Sequence, residues 1–215
     1  MSLLRMLALL AAIGLGRELR AAALAVTVKD AKGVDVPDAV VYATGNGASS
    51  APRKQTVIDQ RDKQFIPYVT ALQVGTSVFF PNSDNVRHHV YSFSPAKKFE
   101  LPLYAGIPAA PVMFDKEGFV TLGCNIHDWM IAYVAVLTTP YFQVTGKEGH
   151  ALLSNLPAGQ YTVEVWQPSL KGPPEKFAQH VDLAASGAKE LLFTLDLKPD
   201  FRAQRAPGLS TGGYR

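Results

Sequence analysis

The residues richest in chemistry lie in one short string, Cys124-Asn125-Ile126-His127-Asp128-Trp129-Met130. A thiolate, an imidazole and a thioether at steps of three can all turn onto one ion. Soft sulfur beside imidazole favours copper, and a trigonal set of two His and one Cys with a long axial Met is a copper arrangement. The string holds a single imidazole, so the second must come from another strand end that packs beside it. Two candidates stand together in Asn82-Ser83-Asp84-Asn85-Val86-Arg87-His88-His89-Val90. Neighbouring strand residues point to opposite faces, so only one of His88 and His89 is expected to reach the ion.

Each of these residues also has a plainer role open to it. Cys124 is the chain's single cysteine, so it cannot pair within the chain. It is an inert buried thiol, a link between two copies or a metal ligand. Met130 also suits ordinary core packing. Trp129 either anchors the core or forms, with Ile126, an apolar docking patch beside an exposed edge of His127. His150 and His180 have no ligand-like neighbours and read as surface residues.

The elements that must position this string are strands. Polar and apolar residues mostly alternate with a period of two, and turn residues punctuate them. Strand-like runs occur at 26–29, 39–42, 56–59, 65–69, 77–80, 89–92, 119–122 and 131–136, and again at 149–153, 156–166 and 190–195. The ligand string therefore reads as a loop joining the runs at 119–122 and 131–136. No segment after residue 25 carries a long helical period, which predicts an all-β fold of the sandwich or barrel kind. Residues 46–55, rich in Gly, Ser, Ala and Pro, read as a linker, and 199–215 read as a disordered tail.

The N-terminus has the look of an export signal. Arg5 precedes an uncharged apolar run from Met6 to Gly16, and Ala23-Leu24-Ala25 fits the small-residue cleavage rule. Residues 1–25 are thus expected to be a signal peptide, with Arg17, Glu18 and Arg20 atypical of one; an uncleaved anchor is the alternative. The apolar run is short of the roughly 20 residues a span needs, so no membrane span is expected after cleavage. The full chain carries 21 basic and 18 acidic residues. The segment after residue 25 keeps a net charge near +1, with no basic stripe to neutralise phosphates, and nucleic acid is not an expected partner.

Residues 56–136 resemble the cupredoxin family. The resemblance rests on Phe80-Pro81-Asn82-Ser83-Asp84, on His88-His89-Val90, on Glu117 to Gly123, and on the Cys-x2-His-x2-Met spacing of the short, amicyanin-like ligand loop. It implies a Greek-key β-sandwich at 55–137 binding one copper ion through His88, Cys124, His127 and Met130. It also places Asn82 and His89 just behind the ligands, with His89 where the family usually has Asn. A second resemblance covers the flanks. Val28 to Val41, Gly146 to His150 and Leu156 to Tyr161 are similar to the carboxypeptidase-regulatory-like (transthyretin-like) sandwich. It implies a second small β-sandwich built from 26–50 and 138–198, into which the first is inserted or to which it is joined.

Together these resemblances imply a periplasmic single-electron carrier rather than an enzyme. Its expected partners are redox proteins such as a cytochrome c or a dehydrogenase, with a link to the oxidation of methylamine or related amines. The alternative is a protein that stores or delivers copper, prompted by the extra His89 and the appended sandwich. A multicopper oxidase would need His-x-His pairs, and the five His of this chain form none.

Overall fold

The computed structural model describes residues 22–45, 55–108 and 110–199 of the 215. The expected tail, the linker apart from Gln55, and the leader up to residue 21 lie outside the described residues. The strands, in chain order, are β1 (Ala22–Asp30), β2 (Val40–Gly45), β3 (Gln55–Val57), β4 (Asp59–Arg61), β5 (Gln64–Ile66) and β6 (Val69–Gln73). Then come β7 (Thr76–Phe79), β8 (His88–Ser94), β9 (Lys97–Tyr104), β10 (Val112–Phe114), β11 (Gly118–Gly123) and β12 (Ile131–Leu137). The last are β13 (Phe142–Val144), β14 (His150–Leu156), β15 (Gly159–Trp166), β16 (Gln179–Leu183) and β17 (Gly187–Leu195). A single short 3-10 turn, Pro174–Phe177, interrupts them among the described residues. The all-β character follows the period-two patterning.

Strands from both ends of the chain share sheets. β1 lies between β14 and β17, and β2 lies between β13 and β15 in a sheet completed by β16. The β1–β17 pair is parallel and runs in register from Ala22↔Gly187 to Asp30↔Leu195. These two sheets enclose one core, with Val26, Val28, Val41, Leu153, Val163 and Phe193 buried inside it. Tyr161 lies in that core, and its hydroxyl donates back to the Pro157 carbonyl at 3.0 Å.

The leader expected to end at Ala25 overlaps β1 by four residues. Ala22 and Leu24 are buried in the sheet, and the strand alternates buried and half-buried positions from its first residue. Small residues in alternation serve a cleavage motif and a close-packed strand equally well.

The intervening segment makes a second sandwich. One sheet runs β10-β7-β3 and the other β6-β12-β11-β8-β9, with β4 and β5 forming a separate hairpin. Its core holds Ile58, Val78, Phe80, Val90, Phe114, Leu122, Val134 and Val136, and it extends to Cys124 and Met130.

The two sandwiches pack face to face, which explains two runs that do not alternate. In β2, Val41 and Ala43 face one core while Val40 and Tyr42 face a third cluster. In β12, Val134 and Val136 face the second core while Ala135 and Leu137 join that third cluster. A strand covered on both faces reads as continuously apolar. The seam is closed by Trp166 stacked on Phe119, with centroids 4.3 Å apart and planes at 6°. Phe119 belongs to the strand that delivers Cys124, so the seam braces the back of the ligand loop. Truncating Trp166→Ala should cost about 3 kcal/mol of stability, read as a lowered urea midpoint. A loss below about 0.5 kcal/mol, the size of an ordinary surface change, would show that the seam is a loose contact.

Candidate metal centre

Three strand ends converge at one end of the second sandwich. His88 opens β8, Cys124 directly follows β11, and His127 and Met130 lie in the loop that leads into β12. β11 pairs with β12 over its whole length and meets β8 at Gly123↔Tyr91, which sets the Cys124 end of the loop beside the start of β8. The loop itself is closed by a turn in which the Met130 N–H donates to the His127 carbonyl at 2.9 Å.

The structure brings His88, Cys124 and His127 into one cluster whose donor atoms all lie within 4.8 Å of one another. Cys124 Sγ is 4.0 Å from Nδ1 of His88 and 4.0 Å from Nδ1 of His127. A first-row divalent ion sits about 2.0 Å from an imidazole nitrogen and about 2.3 Å from a thiolate. A sulfur and a nitrogen sharing an ion are at most about 4.3 Å apart, so both sulfur–nitrogen distances admit a shared ion. The donor set, two imidazoles and a thiol, is one that suits copper or zinc. His88 is fully buried, Cys124 is 4% exposed and His127 is only partly covered. Burial, followed by the neighbouring His88 and Lys63, lowers the His127 pKa, with Asp84 opposing. His127 is thereby favoured in the neutral form that binds a metal. Met130 is buried in the same core as Cys124, and both border one groove.

His89 does not join the cluster. It points to the opposite face of β8, sharing that face with Tyr91 at a ring distance of 5.6 Å. Its Nε2 lies 2.9 Å from Glu100 Oε1, but neither ring nitrogen makes an aligned hydrogen bond. An irregularity in the β8–β9 register between His88 and Val90 accompanies the switch of face. Ile126 is 46% exposed. Trp129 is half-buried, its ring 5.2 Å from that of His127.

Asn82 is buried and organises the approach to His88. Its side-chain amide donates to the carbonyls of Val86 at 2.9 Å and Tyr104 at 2.8 Å, and its Oδ1 accepts from the Asp84 N–H at 3.0 Å. Sequence reasoning singled out Asn82 but gave no role to Asp84, whose Oδ2 lies 2.6 Å from His88 Nε2. The signal available was an acid four residues before a candidate ligand. Gly123 was also overlooked: a Cβ there would lie 2.8 Å from the Tyr91 ring, which rests on the strand just before Cys124.

Fold and site together are a β-sandwich with a His–Cys–His cluster at one end. No protein-family profile matches the chain, and no curated protein matches it either. Among solved structures, a copper-containing nitrite reductase from Thermus scotoductus is similar, 23% identical over 44% of this chain, with a TM-score of 0.37. This chain spans only 25% of that reductase's length. A purple cupredoxin from Nitrosopumilus maritimus is 24% identical over 40% of this chain and 100% of its own, with a TM-score of 0.34. A reduced variant of amicyanin is 21% identical over 45% of this chain and 99% of its own, with a TM-score of 0.36. In all three the likeness takes in less than half of this chain.

Replacing Asn82→Ala removes the side-chain partners of the Val86 and Tyr104 carbonyls and of the Asp84 N–H. The expected loss is about 2–3 kcal/mol in a denaturant titration. An unchanged midpoint would remove Asn82 from the support of the site.

Proposed function

We propose that this chain is a blue-copper, single-electron carrier that binds one copper ion through His88, Cys124, His127 and Met130. The observation that carries the reading is the cluster in which one thiol sulfur lies 4.0 Å from Nδ1 of two imidazoles. Copper held there would supply a one-electron couple, with no bond to substrate made or broken. The residues do the rest. Cys124 and His88 keep their donors out of water, and strand ends fix three positions, so little has to move when the charge changes. His127 is the ligand that reaches the rim, and its covered side and exposed edge make it the exit for an electron. Met130 would complete the set as the weak fourth ligand.

The finer parts of the reading are also proposals. The leader-like residues 1–25 support export to a periplasm. A cytochrome c or a dehydrogenase acting on methylamine or a related amine would be the partner, with Ile126 and Trp129 beside His127 as the contact. The storage alternative drew on a further ligand at His89, and that ring faces Glu100 and Tyr91 instead.

Loading the full chain with Cu(II) should give an intense blue band and a narrow copper hyperfine splitting, both absent in Cys124→Ala. Met130→Leu should keep the colour and raise the potential. A pale, reducible-only-with-loss-of-metal sample that Cys124→Ala leaves unchanged would overturn the carrier reading.

A further inference from the structure

A two-stranded hairpin, β4–β5, stands apart from both sheets of the second sandwich, yet it is bonded along its length to the segment that leads to His88. Gln60 N–H donates to the Pro81 carbonyl at 3.0 Å, and Ser83 N–H donates to the Gln60 carbonyl at 2.9 Å. The Ser83 hydroxyl donates to the Asp59 carboxylate at 2.9 Å. The zip ends at the hairpin tip, where Asp62 and Lys63 both adopt positive φ, 54° and 56°. Two successive residues in this region make the tight turn that suits a two-residue hairpin loop. That turn aims both main-chain N–H groups at one side chain. Asp62 N–H donates to Asp84 Oδ1 at 2.7 Å, and Lys63 N–H donates to Asp84 Oδ2 at 2.9 Å.

Asp84 therefore has two oxygens held by a rigid tip, and one of them also meets His88 Nε2 at 2.6 Å. A carboxylate only accepts. In the neutral His88 ring the proton then sits on Nε2, and the Nδ1 lone pair faces Cys124.

We infer that Asp84, gripped by the Asp62-Lys63 tip of the β4–β5 hairpin, is the positioning residue for the metal centre: it sets the tautomer and ring angle of His88 and places a negative charge behind that ligand. This deepens the copper reading and rests on it for its redox part, whereas the tautomer part concerns the metal-free chain. Carboxylates placed behind ligating imidazoles fix tautomer and raise ligand basicity, and losing one costs about 10–100-fold in metal affinity. Here the carboxylate is itself anchored by main-chain donors, so its distance from the ring is set by the fold rather than by a free rotamer.

The test uses the full chain labelled with 15N-histidine, as wild type, Asp84→Asn and Asp84→Ala. In the metal-free wild type His88 should show one tautomer, protonated at Nε2, and in Asp84→Ala a mixture. On copper loading, Asp84→Asn should bind Cu(II) at least tenfold more weakly. Its Cu(II)/Cu(I) preference should shift at least tenfold toward Cu(I), which is a 59 mV rise for a one-electron couple. Asp84→Asn preserves the shape and one acceptor oxygen, so it reads the charge even where Asp84→Ala fails to fold. A wild type with mixed His88 tautomers, or a single tautomer retained in Asp84→Ala, would overturn the positioning role. A shift in preference below twofold in Asp84→Asn would overturn the role of the charge. A wild type that takes up copper without a thiolate bond would overturn the carrier reading instead, and the metal-free tautomers would still decide the role of Asp84.

Discussion

A sulfur held between two imidazole nitrogens, 4.0 Å from each, is the contact around which the second sandwich is arranged. Bringing a buried thiol and a buried imidazole beside a third donor is costly, because the buried groups lose water and cannot hydrogen-bond well to each other. The arrangement is maintained by strand pairing, which leaves the donors no way to spread. β8 enters beside β11, β11 returns through β12, and the short loop between them has no length in which to move its ligands apart. What is locally unfavourable in the absence of an ion becomes, in its presence, a site needing little reorganisation. The proposed role as an electron carrier would ask for that property.

The support for that contact comes from two directions. Behind His88 lies a polar layer of Asn82, Asp84 and the hairpin tip, in which the N–H groups of Asp62 and Lys63 and the carbonyls of Val86 and Tyr104 find side-chain partners. Behind Cys124 the support is apolar: Leu122 and Val120 in the core, and Phe119 on the other face of the same strand against Trp166. The polar layer orients an imidazole, and the apolar layer fixes a strand. Hydrogen bonds are directional and suit the first task, while dispersion and area burial are not and suit the second.

The outer sandwich contributes through its face rather than through ligands. Its strand β2 is buried on both sides, and so it both completes its own core and covers the back of β12. Strands from the two chain ends are tied by the parallel β1–β17 pair, so the excursion through the second sandwich begins and ends on a closed platform. The platform stiffens the strands that lead to the site without entering it.

Much of this was legible from residues alone. The Cys124-x2-His127-x2-Met130 spacing is local, and a short loop between two strands leaves such residues few places to go. The alternation of buried and exposed positions is equally local, and it announced an all-β chain. The residue pattern alone left both His88 and His89 open, and only the family resemblance pointed to His88. Which ring meets the ligand loop depends on which face of β8 borders the loop between β11 and β12. Asp84 looked like one more polar loop residue until the hairpin tip, 21 residues away along the chain, placed its N–H groups on that carboxylate. Ala22 and Leu24 carry no sequence sign of the strand they form between β14 and β17. Sequence by itself determined the kinds of donor and the period of the strands, because both depend on neighbours within a few residues. Only the tertiary structure decided which donors meet and what stands behind them, because those contacts join residues far apart in the chain through shared burial and strand pairing.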